Sequence, residues 1–136
     1  MQVDENYYSS KQYITDYINL NNSKDIDNAR LRENIWNKKR LKLIKNNIRQ
    51  CSIMSVLDYG CGHGGFLEVS DNSFKYVIGY DLSEYYYNII MKKGWNVTKS
   101  LNGIKDSINI LILFHVLEHL KYPWDHLSGI LIEYFK

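Results

Sequence analysis

Four of the chain's 8 glycines, Gly60, Gly62, Gly64 and Gly65, fall within six positions of the stretch SVLDYGCGHGGFLE, Ser55 to Glu68. Two carboxylates flank them: Asp58, two positions before Gly60, and Asp81, 21 positions after it. A glycine-rich turn between a buried strand and a helix brings bare backbone to a helix N-terminus. Missing side chains there let a ligand approach closely, and free N–H groups favour a negative group. Gly60, Gly62 and Gly65 satisfy the dinucleotide fingerprint G-x-G-x-x-G, and Gly60, Gly62 and Gly64 equally satisfy G-x-G-x-G. Taken alone, the glycines also fit a structural turn that holds no ligand.

The carboxylates narrow the chemistry. Asp81 ends the second apolar run, where an acid accepts hydrogen bonds from both ribose hydroxyls, which suits NAD and other adenosine ligands alike. Asp58 separates them. A carboxylate at the mouth of the first strand repels a pyrophosphate, but it suits an ammonium group set beside its own carboxylate. S-adenosylmethionine carries that zwitterion at one end and adenosine at the other. The competing reading makes Asp58 a strand-end cap and Asp81 a solvated turn acid.

A third cluster is His115, Glu118 and His119. At helical spacing these positions share a face. H-x-x-E-H is also the inverted zinc-protease motif, but that motif needs a long helix and a further ligand. Here it follows an apolar run and soon meets Pro123.

These residues need elements to position them. The pattern predicts a short helix near residues 10–19, with Asp25 or Asp27 free to cap the next. A second helix over 28–49 places Leu31, Ile35, Leu41, Ile44 and Ile48 near one face, with basic residues on the rest. SIMSVLDYG reads as a buried strand, GGFLEVSDN as a short helix, KYVIGYDLS as a strand, and EYYYNIIMKKG as a helix ended by Gly94. WNVTKS is a brief strand, INILILF an apolar strand of the kind buried on both faces, and DHLSGILIEYFK a final amphipathic helix. This alternation is the α/β pattern of a parallel, doubly wound sheet. It divides the chain into an N-terminal helical cover, residues 1–50, and a cofactor-binding core, residues 51–136.

VLDYGCGHGGFLE, VIGYDLSEYY and INILILFHVLEHLKYPWDHL resemble, in order, the motifs of class I S-adenosylmethionine-dependent methyltransferases. The likeness covers about residues 55–135 and is closest to the branch with a vLEHl.dP signature after strand four, which includes many small-molecule and sugar O-methyltransferases. The resemblance implies a Rossmann-like parallel sheet with flanking helices. It implies that Asp58, Gly60, Gly62 and Gly64, with Cys61 among them, hold the methionine end of S-adenosylmethionine. Asp81 then holds the ribose, with Leu82, Ser100 and Leu101 around the adenine. Some members show E-x-x-E-H after strand four and bind magnesium, but His115 stands here for the first Glu, a poorer ligand for a hard cation. No metal is therefore expected. His115 is expected to line the junction of cofactor and acceptor, and His119 to act as general base toward an acceptor hydroxyl. The competing role for Glu118 and His119 is to fix the loop by hydrogen bonds.

Two departures stand out. The family usually carries Asp at the start of strand four, where this chain has Asn109. Its sheet has seven strands, whereas this chain ends just before the expected fifth. A partial domain of about four strands is the expectation, from a truncated chain or one whose fourth-strand edge is covered by a partner or a second copy. The expected function is methyl transfer to oxygen on a small molecule or sugar. The alternatives are an NAD-dependent oxidoreductase, against which Asp58 argues, and a non-catalytic cofactor-binding subunit.

Charge and composition set outer bounds. The chain's 17 basic and 15 acidic residues nearly balance, yet residues 29–50 carry a net +7. That helix, with Trp36, could meet nucleic acid or a phosphorylated substrate, but a solvated face is the favoured reading. The N-terminal tyrosines, Tyr7, Tyr8, Tyr13 and Tyr17, are candidates for touching the acceptor, by analogy with the family's N-terminal lids. No apolar run reaches the roughly 20 residues of a membrane span. Cys51 and Cys61 make no disulfide framework, so a cytoplasmic protein without a membrane partner is expected.

Overall fold

The computed structural model describes residues 7, 10–20, 25–70, 72–104 and 108–135. Among the described residues nine helices and strands carry the fold: α1 (Lys11–Leu20), α2 (Ile26–Asn47), β1 (Ser55–Tyr59), α3 (Gly65–Val69), β2 (Tyr76–Tyr80), α4 (Glu84–Lys92), β3 (Val97–Thr98), β4 (Ile110–Ile112) and α5 (Pro123–Tyr134). The four strands form one parallel sheet in the order β3-β2-β1-β4. Strand order reverses between β1 and β4, and at such a switch point the carboxyl ends of the strands open a crevice.

β1 is buried along its whole length. Its alternating side chains feed two cores, as the pleat requires. Leu57 points into one with Ile78, Ile130 and Tyr134, so α5 covers that face. Val56 points into the other with Phe66, Phe74 and Ile112, against Leu41 and Ile44 of α2 and Ile48, which caps it. Register places Leu57 opposite Ile78 on one side and Leu111 on the other.

Local signals explain most boundaries. The Asp25 side chain accepts the Asn28 N–H at 2.9 Å and caps α2, and Ser83 caps α4. Gly94 follows α4 at φ +77°, where a side chain would be strained. α5 begins at Pro123 rather than at residue 125, because proline costs nothing at the first helical position. β1 starts later than expected, since Cys51–Ile53 forms a 3-10 turn. β4 spans only Ile110–Ile112, and just one of its three residues is fully buried, so the expected two-sided burial of INILILF is not observed. Among the described residues β4 has a single strand neighbour.

Asn109 has a structural use. Its Oδ1 accepts the Ser55 N–H at 2.9 Å while its own N–H donates to the Ser55 carbonyl at 2.9 Å, clamping the starts of β1 and β4 together. An aspartate Oδ could accept the same N–H, so the departure costs the ladder nothing.

The expected buried face of α2 is half wrong. Leu41, Ile44 and Ile48 do pack on the sheet, but Leu31 is 55% exposed and Ile35 63%. The N-terminal half instead buries Ala29, Arg30, Asn34 and Asn37. The reason is what lies beneath. This half crosses α3 and the glycine loop, whose outward groups are polar. Arg30 and Asn34 both donate to Glu68 of α3, and Glu33 meets His63 Nε2 at 3.0 Å. Buried polar groups demand such partners.

Candidate functional site

Two adjoining cavities lie at the carboxyl ends of β1 and β4. The first, of about 590 Å³, takes in Asp58, Gly60, Gly62, Arg40, His115 and His119. The second, of about 320 Å³, takes in Asp81, Leu82, Tyr59, Tyr80, Gly60 and Gly62, and shares His115 and His119 with the first. The glycine loop is the sill between them.

The loop is held from within. The Gly60 and Cys61 N–H groups both donate to the Tyr80 carbonyl, at 2.8 and 3.0 Å. The Gly62 N–H donates to Asp81 Oδ2 at 2.8 Å, and the Gly64 N–H to the Cys61 carbonyl at 3.0 Å. These four amides are spent, so the expected reserve of free donors for a negative group is not offered by them. The glycines are needed mainly by the protein. A Cβ on Gly60, at φ +77°, would stand 2.5 Å from Val116 Cγ2, and one on Gly65 would stand 2.7 Å from Asn37 Nδ2. At Gly62 alone among these four nothing lies within 4 Å, and there the bare backbone does open onto the cavities.

Asp81 is oriented by two backbone donors, Gly62 and Ser83, each at 2.8 Å. Burial raises its carboxyl above the ordinary range, partly offset by those two bonds. Asp58 sits at the other end of the sill. It is only 4% exposed, and among the described residues no donor bonds its carboxylate. Burial, and then the charge of Asp81, push it up to about 7, with the Arg40 charge pulling the other way. A buried carboxylate without a donor is costly in its charged form, and is relieved either by taking up a proton or by meeting a cation.

Arg40 comes from α2 and went unmarked in the sequence, where it looked like one more base on a solvated face. Its Nη1 donates to Asn37 Oδ1 at 2.9 Å, Nη2 meets His115 Nε2 at 2.8 Å, and the guanidinium lies 4.4 Å above the Phe114 ring. The available signal was the spacing Asn34, Asn37, Arg40, which marks a polar inner stripe once Leu31 and Ile35 are known to face out. Tyr59, Tyr80 and His126 were missed too. Tyr59 and Tyr80 stack at 4.6 Å beside the second cavity, and the Tyr59 hydroxyl meets His126 Nε2 at 2.6 Å.

The H-x-x-E-H stretch is not a helix face. His115 takes the left-handed conformation, φ +57°, and only Leu117–His119 form a single 3-10 turn. His115 Nδ1 meets Glu118 Oε1 at 3.1 Å, so both ring nitrogens are engaged. Among the described residues no group of three or more His, Cys, Asp or Glu is arranged to hold a metal ion.

The remaining candidates scatter. Leu82 lines the second cavity and Cys61 the first. The Cys61 thiol is raised well above the usual thiol range, first by burial and then by Asp58 and Asp81. Gly64, Ser100 and Leu101 line neither cavity. Ser100 caps the 3-10 turn Leu101–Gly103, and Leu101 packs on the core under α5. Tyr7 and Tyr13 line the first cavity, while Tyr8 and the side chain of Tyr17 lie outside the described residues.

Residues 27–134 match the model of a family described as a methyltransferase domain, and the chain belongs to that family. No curated protein matches it by sequence. Among solved structures, magnesium protoporphyrin IX methyltransferase from Synechocystis PCC 6803 with bound SAM superposes with a TM-score of 0.71 at 14% identity, over 96% of this chain and 70% of that one. A SAM-dependent methyltransferase from Archaeoglobus fulgidus superposes at 0.60 with 25% identity, over 88% of this chain and 50% of that one. The chain therefore spans half of the archaeal enzyme's length. The Rossmann-like parallel sheet of four strands matches part of such a domain, as the motifs implied.

Proposed function

We propose that this methyltransferase domain binds S-adenosylmethionine across the glycine sill and methylates an oxygen on a small molecule or sugar. The observation that carries the reading is the buried, donor-less carboxylate of Asp58 beside a loop in which the Gly60, Cys61, Gly62 and Gly64 amides are already spent. A pyrophosphate would meet a negative charge and four occupied amides. An amino-acid end would meet a carboxylate for its ammonium and, in the same cavity, the Arg40 guanidinium for its carboxylate. The nucleoside end falls to the second cavity, with Asp81 for the ribose and Leu82 for the adenine.

S-adenosylmethionine, when bound, would supply a sulfonium-activated methyl group: an acceptor oxygen would attack the methyl carbon in line, the C–S bond would break to release S-adenosylhomocysteine as the neutral thioether, and the hydroxyl proton would pass to a base. The chain's task is alignment and one proton. His115 and His119 stand where the cavities join. With both nitrogens of His115 engaged by Arg40 and Glu118, His119 is the residue we assign as general base toward the acceptor hydroxyl.

Calorimetric titration with S-adenosylhomocysteine tests this, with NAD as control. Micromolar binding that Asp81→Ala abolishes supports the reading. NAD binding instead, or no binding by a folded chain, sinks it.

A further inference from the structure

The N-terminal half of α2 is inside out. It buries Arg30, Asn34 and Asn37 while Leu31, Ile35 and Trp36 stand 55%, 63% and 60% exposed, and Leu43 two turns beyond Trp36 is 64% exposed. Large aliphatic side chains gain nothing from water, and several of them exposed together on the outer arc of one helix mark an interaction surface. The sequence hid this, because Leu31 and Ile35 fit the pattern of a buried stripe.

The same outer arc is strongly basic. Arg32, Lys38, Lys39, Lys42 and Lys45 are exposed between the apolar residues. From Leu31 to Asn47 the sole acid is Glu33, and it turns inward to His63. Among the described residues none of Lys38, Lys39, Lys42 and Lys45 pairs with an acid. Lys39 lies over Trp36, its Nζ 4.2 Å from the ring centroid, so an aliphatic stem already runs along an apolar surface with its charge held above.

We infer that the outer face of α2 seats the protein on an anionic lipid surface, with Leu31, Ile35, Trp36 and Leu43 at the headgroup boundary and the lysines on lipid phosphates. Clustered basic residues interleaved with Trp and Leu are the chemistry of an interfacial helix. Nucleic acid explains the charge but not the aliphatics: Leu31, Ile35 and Leu43 offer neither hydrogen bonds nor a stacking plane to a base or phosphate. An acidic protein would need a groove to match, whereas a single helix of 22 residues, roughly 33 Å long, is a convex rod suited to a planar surface. Of the residues that α2 gives to the cavity, Asn37 is buried on the inner side, whereas Glu33 and Arg40, three positions before and four after Trp36, border the outer face. No helix among the described residues is long and apolar enough to cross a membrane, so the contact is peripheral. This inference stands apart from the cofactor reading.

The test is co-sedimentation of the full chain with phosphatidylcholine vesicles, with and without about 30% phosphatidylglycerol, at low and high salt. Binding is expected to the anionic vesicles at least about tenfold tighter than to the neutral ones, and to weaken with salt. Each of Lys38→Gln, Lys39→Gln and Lys42→Gln should lower it roughly fivefold. A blue shift of tryptophan emission should appear with vesicles and vanish in Trp36→Phe. Trp36→Ser combined with Leu43→Ser should weaken binding in a chain whose circular dichroism is unchanged, since both positions are exposed. Absence of binding to anionic vesicles at low salt overturns the inference. So does binding that the serine pair leaves intact, with single-stranded RNA bound as tightly, because that is charge alone. Binding that survives every α2 substitution assigns the contact to another surface and overturns it equally.

Discussion

Two segments face each other across the joined cavities: the glycine loop after β1 and residues 114–119 after β4. They sit on adjacent strands and solve the same problem in opposite ways. The loop removes side chains and fixes its backbone by donating to Tyr80 and Asp81 at the end of β2. Its shape is set by the sheet. The segment after β4 keeps its side chains and depends on a distant helix, with Phe114 under the Arg40 guanidinium and His115 held between Arg40 and Glu118. Rigid backbone on one side and borrowed side chains on the other meet at one point, where Val116 fills the space above Gly60.

Breaking that point should give the largest effect. Gly60→Ala adds a methyl group 2.5 Å from Val116 Cγ2 on a left-handed backbone, and should cost roughly 3 kcal/mol in chemical denaturation. Adding Val116→Ala should return part of that loss, the strain being shared. If the double variant is no more stable than the single, the two segments do not meet as described. Asp81→Ala removes the acceptor of one glycine-loop amide, Gly62, and of the Ser83 amide, and should weaken S-adenosylhomocysteine binding on the order of a hundredfold. Arg40→Gln attacks the other segment's support. It should cost roughly tenfold in the same titration and lower the melting temperature only slightly, since Arg40 is half-buried but its contact with His115 is exposed.

The pH response of Asp58 separates the two sides further. Its folded value, about 7, lies above that of an unfolded chain. Its contribution to folding is therefore fully present below about pH 4 and is lost as pH rises through about 7. A cationic ligand wants the carboxylate, so affinity for S-adenosylhomocysteine should move the other way, tightening several-fold between about pH 6 and 8. Asp58→Asn should flatten both curves, and a stability profile that stays sloped in that variant would assign the slope elsewhere. The smallest change is expected at His115. His115→Gly relieves a left-handed backbone at an exposed position, so stability should shift by about 1 kcal/mol or less, measured by urea denaturation.

The asymmetry also explains what the sequence disclosed. A rigid loop advertises itself, because left-handed turns favour glycine and close backbone contacts exclude a Cβ, and buried parallel strands read as apolar runs. The alternation of strands and helices, the end of α4 at Gly94 and the cap at Asp25, one of two candidates, follow from such local necessities; the cap at Ser83 and the bond from the Gly62 N–H to Asp81 were not read there. What stayed hidden depends on long-range placement. Arg40 reaches the cavity only because α2 turns its polar stripe inward, and nothing within α2 announces that α3 and not the sheet lies beneath. Ser100 and Leu101 were placed by family position, yet the short β3 leads directly into a 3-10 turn that uses Ser100 as a cap and Leu101 as core. His115 looked like one rung of a helix because spacing carries no record of a single residue at positive φ.

The two halves of α2 also set different rules for inheritance. Where Leu41, Ile44 and Ile48 lie on the sheet, the contact is non-directional, and Leu, Ile and Met are exchangeable there at little cost. Where Asn34 and Arg30 grip Glu68, and Glu33 grips His63, each partner needs the other's geometry. In descendants of this chain the first half can therefore change only in concert with the glycine loop and α3, whereas the second half drifts one residue at a time.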